Sequence, residues 1–68
     1  MSETTVIKAG RVMAADEFSF AGKEYFITDV TRSASGDVII RFVPNDNHTA
    51  TYSTLVLDAE SPFEVLNY

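Results

Sequence analysis

The side chains best suited to catalysis are few and surround one turn. His48 is the only histidine in the chain, and Asp46 lies two residues before it. With Ser53 or Ser61 as nucleophile, these residues would have the composition of a Ser-His-Asp triad, in which the imidazole is the general base. A triad depends on spatial placement, and nothing in the spacing selects these residues. We therefore predict that His48 is an exposed turn residue and that the chain is not an enzyme.

Carboxylate and amide groups offer only weak candidates for metal or acid-base chemistry. Residues 45–48 place oxygen and nitrogen ligands side by side, but they lack the alternating acids, the glycine and the distal glutamate of a calcium loop. The carboxylate pairs Asp16/Glu17 and Asp58/Glu60 would need a cleft to work as acid and base, which so short a chain can hardly build. The sequence also lacks a glycine-rich phosphate loop. It predicts no metal and no cofactor.

The length and the lack of cysteine limit how the chain can be stabilised. Its 68 residues fit one domain, 1–68, with a thin margin of stability, because small domains bury a modest fraction of their surface. Because the chain has no disulfides and no thiolate zinc site, oligomerisation is the remaining source of additional stability. Apolar runs reach three or four residues, far from the roughly 20 that span a bilayer, and the acidic N-terminus does not resemble a secretory signal. The sequence predicts a cytoplasmic protein with no membrane contact.

The charge of −5 is unevenly distributed along the chain. Residues 1–41 hold all five basic side chains and six acids, whereas residues 42–68 hold four acids and no base. A phosphate-binding surface needs clustered lysine and arginine, so the sequence argues against a nucleic-acid partner. The acidic third would suit either a basic protein partner or a solvated surface.

Short runs of β-branched and aromatic residues, separated by turn residues, indicate an all-β chain. No stretch has the apolar spacing of an amphipathic helix. Six strands are expected, over residues 4–8, 17–20, 23–32, 37–43, 49–57 and 63–66, with a short turn or strand at 12–15. Such strands favour a meander of five to six antiparallel strands that curls into a small barrel or sandwich, since an open sheet of this size would leave one apolar face wet.

Two local features set the register of these strands. Gly22 supplies the positive φ of a tight hairpin, and the polar loop at 33–36 ends in Gly36. A bulge at residues 28–29 would turn Tyr25, Ile27 and Val30 to the same inner face and keep Asp29 out of the core.

The turns and apolar positions of four segments form a pattern. They are Ala9-Gly10, Asp16-Glu17-Phe18, residues 20–30 (FAGKEYFITDV) and residues 61–66 (SPFEVL). This pattern resembles the small SH3-like β-barrels found as short bacterial and phage proteins. In that family a glycine hairpin joins two core strands and the final strand seals the barrel, so the resemblance implies a barrel over most of the chain. The family serves adaptor, nucleic-acid-binding and assembly roles, and it assigns no site residue here.

The aromatic residues give the best indication of function. We assign Phe18, Phe20 and Tyr25 to the core. Strand alternation places a second set on faces that a monomeric barrel would leave exposed: Phe26, Ile39, Val43, Leu66 and Tyr68. Exposed apolar patches and aromatic hot spots are typical of protein interfaces. The alternative is that small secondary cores bury this second set.

The sequence is compatible with three functions. The leading hypothesis is a non-enzymatic protein-interaction and assembly module that associates with itself. A second is a small acidic inhibitor that binds the basic site of another protein, with a steep dependence on salt. A third is an oligomeric barrel that holds a small anionic ligand between subunits through Arg11, Arg32 or Arg41.

Overall fold

The computed structural model describes residues 3–67 as an all-β fold. Six strands follow in chain order: β1 (Glu3–Lys8), β2 (Glu17–Phe20), β3 (Lys23–Arg32), β4 (Asp37–Pro44), β5 (Ser53–Asp58) and β6 (Pro62–Asn67). A short 3₁₀ turn, Ala9–Arg11, follows β1. In the described residues no helix has the length and apolar character needed to cross a membrane.

All strand pairs are antiparallel and form two sheets. β1 pairs with β6, and a four-stranded sheet in the order β2-β3-β4-β5 curls into a half-barrel. The predicted all-β class and the curled meander are thus confirmed. The concave side of the larger sheet is its inner face, and the convex side is its outer face.

The tight turns have the conformations that their residues favour. At the β2-β3 turn Ala21 and Gly22 have φ of 53° and 79°, and two positive φ values are what a two-residue type I′ hairpin needs. Gly36, with φ of 92°, ends the β3-β4 loop, where the Gly36 amide donates to the Ser33 carbonyl at 3.2 Å. Both predicted glycine turns are confirmed.

The predicted bulge in β3 lies at Thr28. Ile27 is opposite Phe42 and Asp29 is opposite Arg41, so Thr28 is the extra residue. Its hydroxyl donates to the Arg41 carbonyl at 3.2 Å. After the bulge, Val30 packs against the core and Asp29 stays on the outer face, as expected.

The core lies between the inner face, the β1-β6 sheet and the 3₁₀ turn. Its buried members are Val12, Phe18, Ile27, Val38 and Ile40, with Ile7, Tyr25, Phe42, Phe63 and Val65 among those packed against them. Phe18 is central, because the rings of Tyr25, Phe42 and Phe63 lie 5.3, 5.1 and 5.2 Å from its ring. Val12, which the sequence places in a short turn or strand, is fully buried.

β5 begins later than predicted, at Ser53 instead of Thr49. The Asn47 side-chain oxygen accepts hydrogen bonds from the amide and the hydroxyl of Thr49, at 3.3 and 2.8 Å. The Ala50 amide donates to the Asn47 carbonyl. Asparagine side chains that bind the backbone two residues on favour turns over strands, so the turn extends past His48.

Candidate functional site: an aromatic groove beside a sheet edge

The residues considered for catalysis do not form a triad. His48 Nε2 lies 3.4 Å from the Asn45 side-chain oxygen, and its ring stacks on Phe26 with ring centroids 4.4 Å apart. Within the described part of the chain, no hydrogen bond joins His48 to an aspartate or a serine. Nor do residues 3–67 group three histidine or acidic side chains that could hold a metal.

The carboxylate pairs stabilise turns and strand ends. Asp16 accepts a hydrogen bond from the Met13 amide at 2.9 Å, and Asp58 accepts one from the Glu60 amide at 2.8 Å. Glu60 also forms an ion pair with Lys8 at 2.9 Å. These contacts give the carboxylates structural roles at the ends of strands.

Two of the three arginines considered for anion binding come together. Arg11 and Arg32 line a surface hollow of about 400 Å³ near the 3₁₀ turn, together with Lys8. The Arg32 guanidinium is fixed, because it donates to the carbonyls of Gly10 and Val12 at 2.9 and 3.0 Å. Arg41 lies on the outer face, where it pairs with Asp29 at 3.3 Å.

The predicted interface residues are not equally available. Phe26 is half-buried under the His48 ring, and its cross-strand neighbour Val43 keeps only 3% exposure. The expectation that Val43 is exposed is wrong. It lies beside Phe26, and the ring of His48, from the turn after β4, stacks on Phe26. Phe26 and Val43 thus belong to a small secondary core, the alternative that the sequence left open.

Two of the other predicted interface residues are described, and they lie in different sheets. Ile39 is half-buried on the outer face of β4, directly opposite Thr31 and Val56. Leu66 is half-buried in β6, opposite Thr4. Tyr68 lies outside the described residues. Of the four described residues, Phe26, Val43 and Ile39 lie on the outer face of the larger sheet and Leu66 lies in the other sheet. Their role in binding stays a prediction.

An apolar groove opens at one end of the inner face. It has a volume of about 300 Å³ and is lined by Phe18, Phe20, Tyr25, Phe42, Ser53 and Leu55, here called the aromatic groove. The lining comes from all four strands of the larger sheet. The edge-to-face contact between Tyr25 and Phe42, at 5.1 Å, helps to fix its floor.

Phe20 stands at the rim of this groove and is 70% exposed. Its assignment to the core is therefore wrong. The physical reason is position: Phe20 ends β2 at the hairpin, whereas β6 reaches the sheet at Phe18 through the Phe63 ring. Alternation identified the correct face of β2 but could not show where the covering sheet stops.

The outer edge of β5 adjoins the groove. β5 is the last strand of its sheet, pairs with β4 and also contacts the 3₁₀ turn. At its C-terminal end the Asp58 carbonyl accepts a hydrogen bond from the Ser61 amide at 3.0 Å, so the free part of the edge precedes Asp58. Ser53 and Leu55 line the groove on the inner side, and Val56 is 58% exposed on the outer side. Charged residues and proline commonly protect a sheet edge from pairing. From Ser53 to Leu57 the strand has neither.

Side chains on the outer face form rows across three strands. One row is Thr31, Ile39 and Val56, and the next is Asp29, Arg41 and Thr54. Beside them, Asp37 of β4 lies directly opposite Asp58 of β5, so two carboxylates face each other at one end of the sheet.

A comparison with protein-family models, curated proteins and solved structures found no match to this chain. The resemblance to small SH3-like barrels stays a prediction. The features that bear on function are therefore the groove, the sheet edge and the charges around them.

Proposed function

We propose that the protein is a non-enzymatic protein-interaction module that associates with itself. The observation that supports this most is the aromatic groove, whose lining includes Ser53 and Leu55 of the edge strand β5. Phe20 on the groove rim and Val56 on the edge strand are both largely exposed.

Physical chemistry favours a protein partner for such a surface. Large aromatic rings contribute strongly to interface hot spots, and exposed apolar patches typically mark binding sites. A free strand edge adds backbone donors and acceptors that an incoming extended segment can pair with. A chain of 68 residues without disulfides also gains stability from every surface that association buries.

Sedimentation equilibrium of the untagged protein, from micromolar to millimolar concentration, tests the proposal. We expect the average mass to rise with concentration above the 7.5 kDa of one chain. The rise should be reduced by Phe20→Ser or by Val56→Lys. Met13→Ser is the matched control, because Met13 is 66% exposed but lies outside the groove and the edge.

Two results would reject self-association through this surface. One is a single-chain mass at every concentration. The other is equal loss of association in Met13→Ser and in both surface variants, since a general effect of apolar exposure would then explain the data.

We propose anion binding as a second candidate function, because Lys8, Arg11 and Arg32 line one hollow. Within residues 3–67 the Arg11 side chain makes no hydrogen bond or ion pair, so its guanidinium is available to a ligand. The hollow is also lined by Asp37 and Glu60, which limits the charge of an anion that it could accept.

Titration calorimetry with inorganic phosphate tests this candidate. We expect saturable binding that Arg11→Ala weakens at least tenfold. Arg41→Ala is the control and should leave the affinity unchanged, because Arg41 lies on the outer face away from the hollow. An absence of saturable heat, or equal losses in the two variants, would reject the site.

A further inference from the structure

From the strand register we infer that the self-association proposed above is an antiparallel pairing of β5 with β5 of a second copy, centred on Val56. This inference rests on the proposed function and names its partner and geometry. Pairing at this edge would join two four-stranded sheets into one continuous sheet of eight strands.

The face of each side chain restricts the possible registers. In β5, Leu55 and Leu57 pack toward the core, and Val56 lies on the outer face. Residues directly opposite in an antiparallel pair point to the same side, so a continuous sheet must pair inner positions with inner positions. A register centred on Val56 satisfies this, since Leu55 then faces Leu57 of the second copy.

Such a pairing is symmetric by construction. A strand that pairs with itself in antiparallel orientation has a two-fold axis at its central residue, and this gives a closed dimer in place of an open filament. With the axis at Val56, the outer-face row of Thr31, Ile39 and Val56 continues into the same row of the second copy. The centre of the interface is then apolar on both copies.

Charge complementarity favours this register over the one centred on Leu55. With Val56 at the centre, Thr54 faces Asp58 of the second copy. The row Asp29–Arg41–Thr54 of one copy therefore meets the facing carboxylates Asp37 and Asp58 of the other. Because the axis repeats this contact, Arg41 of each copy, which already pairs with its own Asp29 at 3.3 Å, lies in the same row as Asp37 and Asp58 of the other copy. Those two carboxylates have no base opposite them across their own ladder.

The distances permit the contact. Strands in a sheet lie about 4.8 Å apart, so Arg41 and Asp58 of the second copy, two strands away, would have Cα atoms about 10 Å apart. An extended arginine and an aspartate cover that span together. In the register centred on Leu55, the row of Arg41 and Thr54 instead meets Val56 and Ile39 of the second copy. Arg41 then has no carboxylate of the second copy in its row.

A lysine substitution at the centre of the strand tests the pairing. By sedimentation equilibrium, Val56→Lys should weaken the dimer at least tenfold, because two ammonium groups would meet at the axis. Val6→Lys is a close control: Val6 is also a largely exposed valine on a strand of six residues, but it lies in β1. We expect Val6→Lys to dimerise like the wild type.

Single-cysteine variants measure the register directly, since the chain has no cysteine of its own. Opposite side chains in an antiparallel pair have Cβ atoms about 5 Å apart, close to disulfide distance. Under mild oxidation Val56→Cys should form a covalent dimer several-fold faster than Thr54→Cys or Val6→Cys. Faster reaction of Thr54→Cys would overturn the register.

Charge reversal tests the polar rows. Arg41→Glu and Asp58→Arg should each weaken the dimer, and the double variant should recover a large part of the loss. Circular dichroism of each variant checks that the monomer still folds. Equal, additive losses without recovery would contradict the proposed contact.

The outcomes separate this inference from the function on which it rests. A dimer that survives Val56→Lys but is lost in Phe20→Ser would overturn β5 pairing and leave self-association through the groove intact. A protein that stays monomeric at all concentrations would overturn both.

Discussion

At the residue scale, neighbouring aromatics have opposite roles. Phe18 is nearly buried and contacts three rings, whereas Phe20, two residues later on the same face of β2, lies at the groove rim. Phe26, on the outer face of β3, is covered by the ring of His48. Composition and alternation identified these residues as important, but which ones are covered depends on segments distant in sequence.

Substitution of the two β2 phenylalanines should therefore give unequal losses of stability. Phe18→Ala should lower the free energy of unfolding by about 3 to 5 kcal/mol, because it leaves a cavity among packed rings. Phe20→Ala should change it by no more than about 0.5 kcal/mol, as expected for an exposed site. Urea denaturation, followed by circular dichroism at a concentration where the chain is monomeric, measures both. Equal losses would show that the groove is closed in solution.

The stacking of the His48 ring on Phe26 should contribute about 1 kcal/mol to the free energy of unfolding, the usual value for a stacked aromatic pair. His48→Ala should lose this stability and His48→Phe should retain it, although both remove the imidazole. Denaturation midpoints of the two variants give the comparison. If His48→Phe is as unstable as His48→Ala, the hydrogen bond to Asn45, and not the stacking, holds the turn.

At the element scale, much of the fold follows from the sequence. The bounds of β3, the bulge at Thr28 and the glycine turns were predictable, because each depends on residues next to each other in the chain. The start of β5 was not, since the side-chain hydrogen bonds of Asn47 compete with strand formation there. The edge position of β5 was also not predictable, because strand order depends on the tertiary structure.

The 3₁₀ turn packs closely on the turn between β5 and β6. A Cβ at Gly10 would lie 3.1 Å from the Cβ of Ala59 and 3.2 Å from its carbonyl oxygen, which accepts the Gly10 amide at 2.9 Å. Gly10→Ala should therefore cost about 1 to 3 kcal/mol, the range for overpacking. In a double-mutant cycle, Ala59→Gly should relieve at least about 0.5 kcal/mol of this loss. If the stability changes of Gly10→Ala and Ala59→Gly add strictly, the two residues do not interact and the close packing of the turns is contradicted.

At the scale of the whole molecule, the proposed self-association should raise the stability of the folded chain. A partner that binds only the folded chain raises its apparent stability by mass action. For such a small domain, without disulfides, pairing of the β5 edge would supply a share of the stability that its own core lacks. Neither the groove nor the edge could be located from the sequence, because both are defined by what the β1-β6 sheet leaves uncovered.

The midpoint of thermal unfolding should consequently depend on protein concentration. We expect it to rise as the wild-type concentration increases, because dimers unfold to separate chains. Val56→Lys should show a midpoint that rises less with concentration, and Val6→Lys should behave like the wild type. Calorimetric scans over a hundredfold range of concentration provide the comparison. An invariant wild-type midpoint would argue against a folded dimer.

Sedimentation equilibrium of the untagged wild-type chain, from micromolar to millimolar concentration, tests self-association most directly. We predict that the mass converges on twice the 7.5 kDa of one chain and rises no further, because a two-fold pairing closes on itself. A mass of one chain at every concentration would contradict self-association. A mass that keeps growing beyond two chains would contradict the closed β5 dimer.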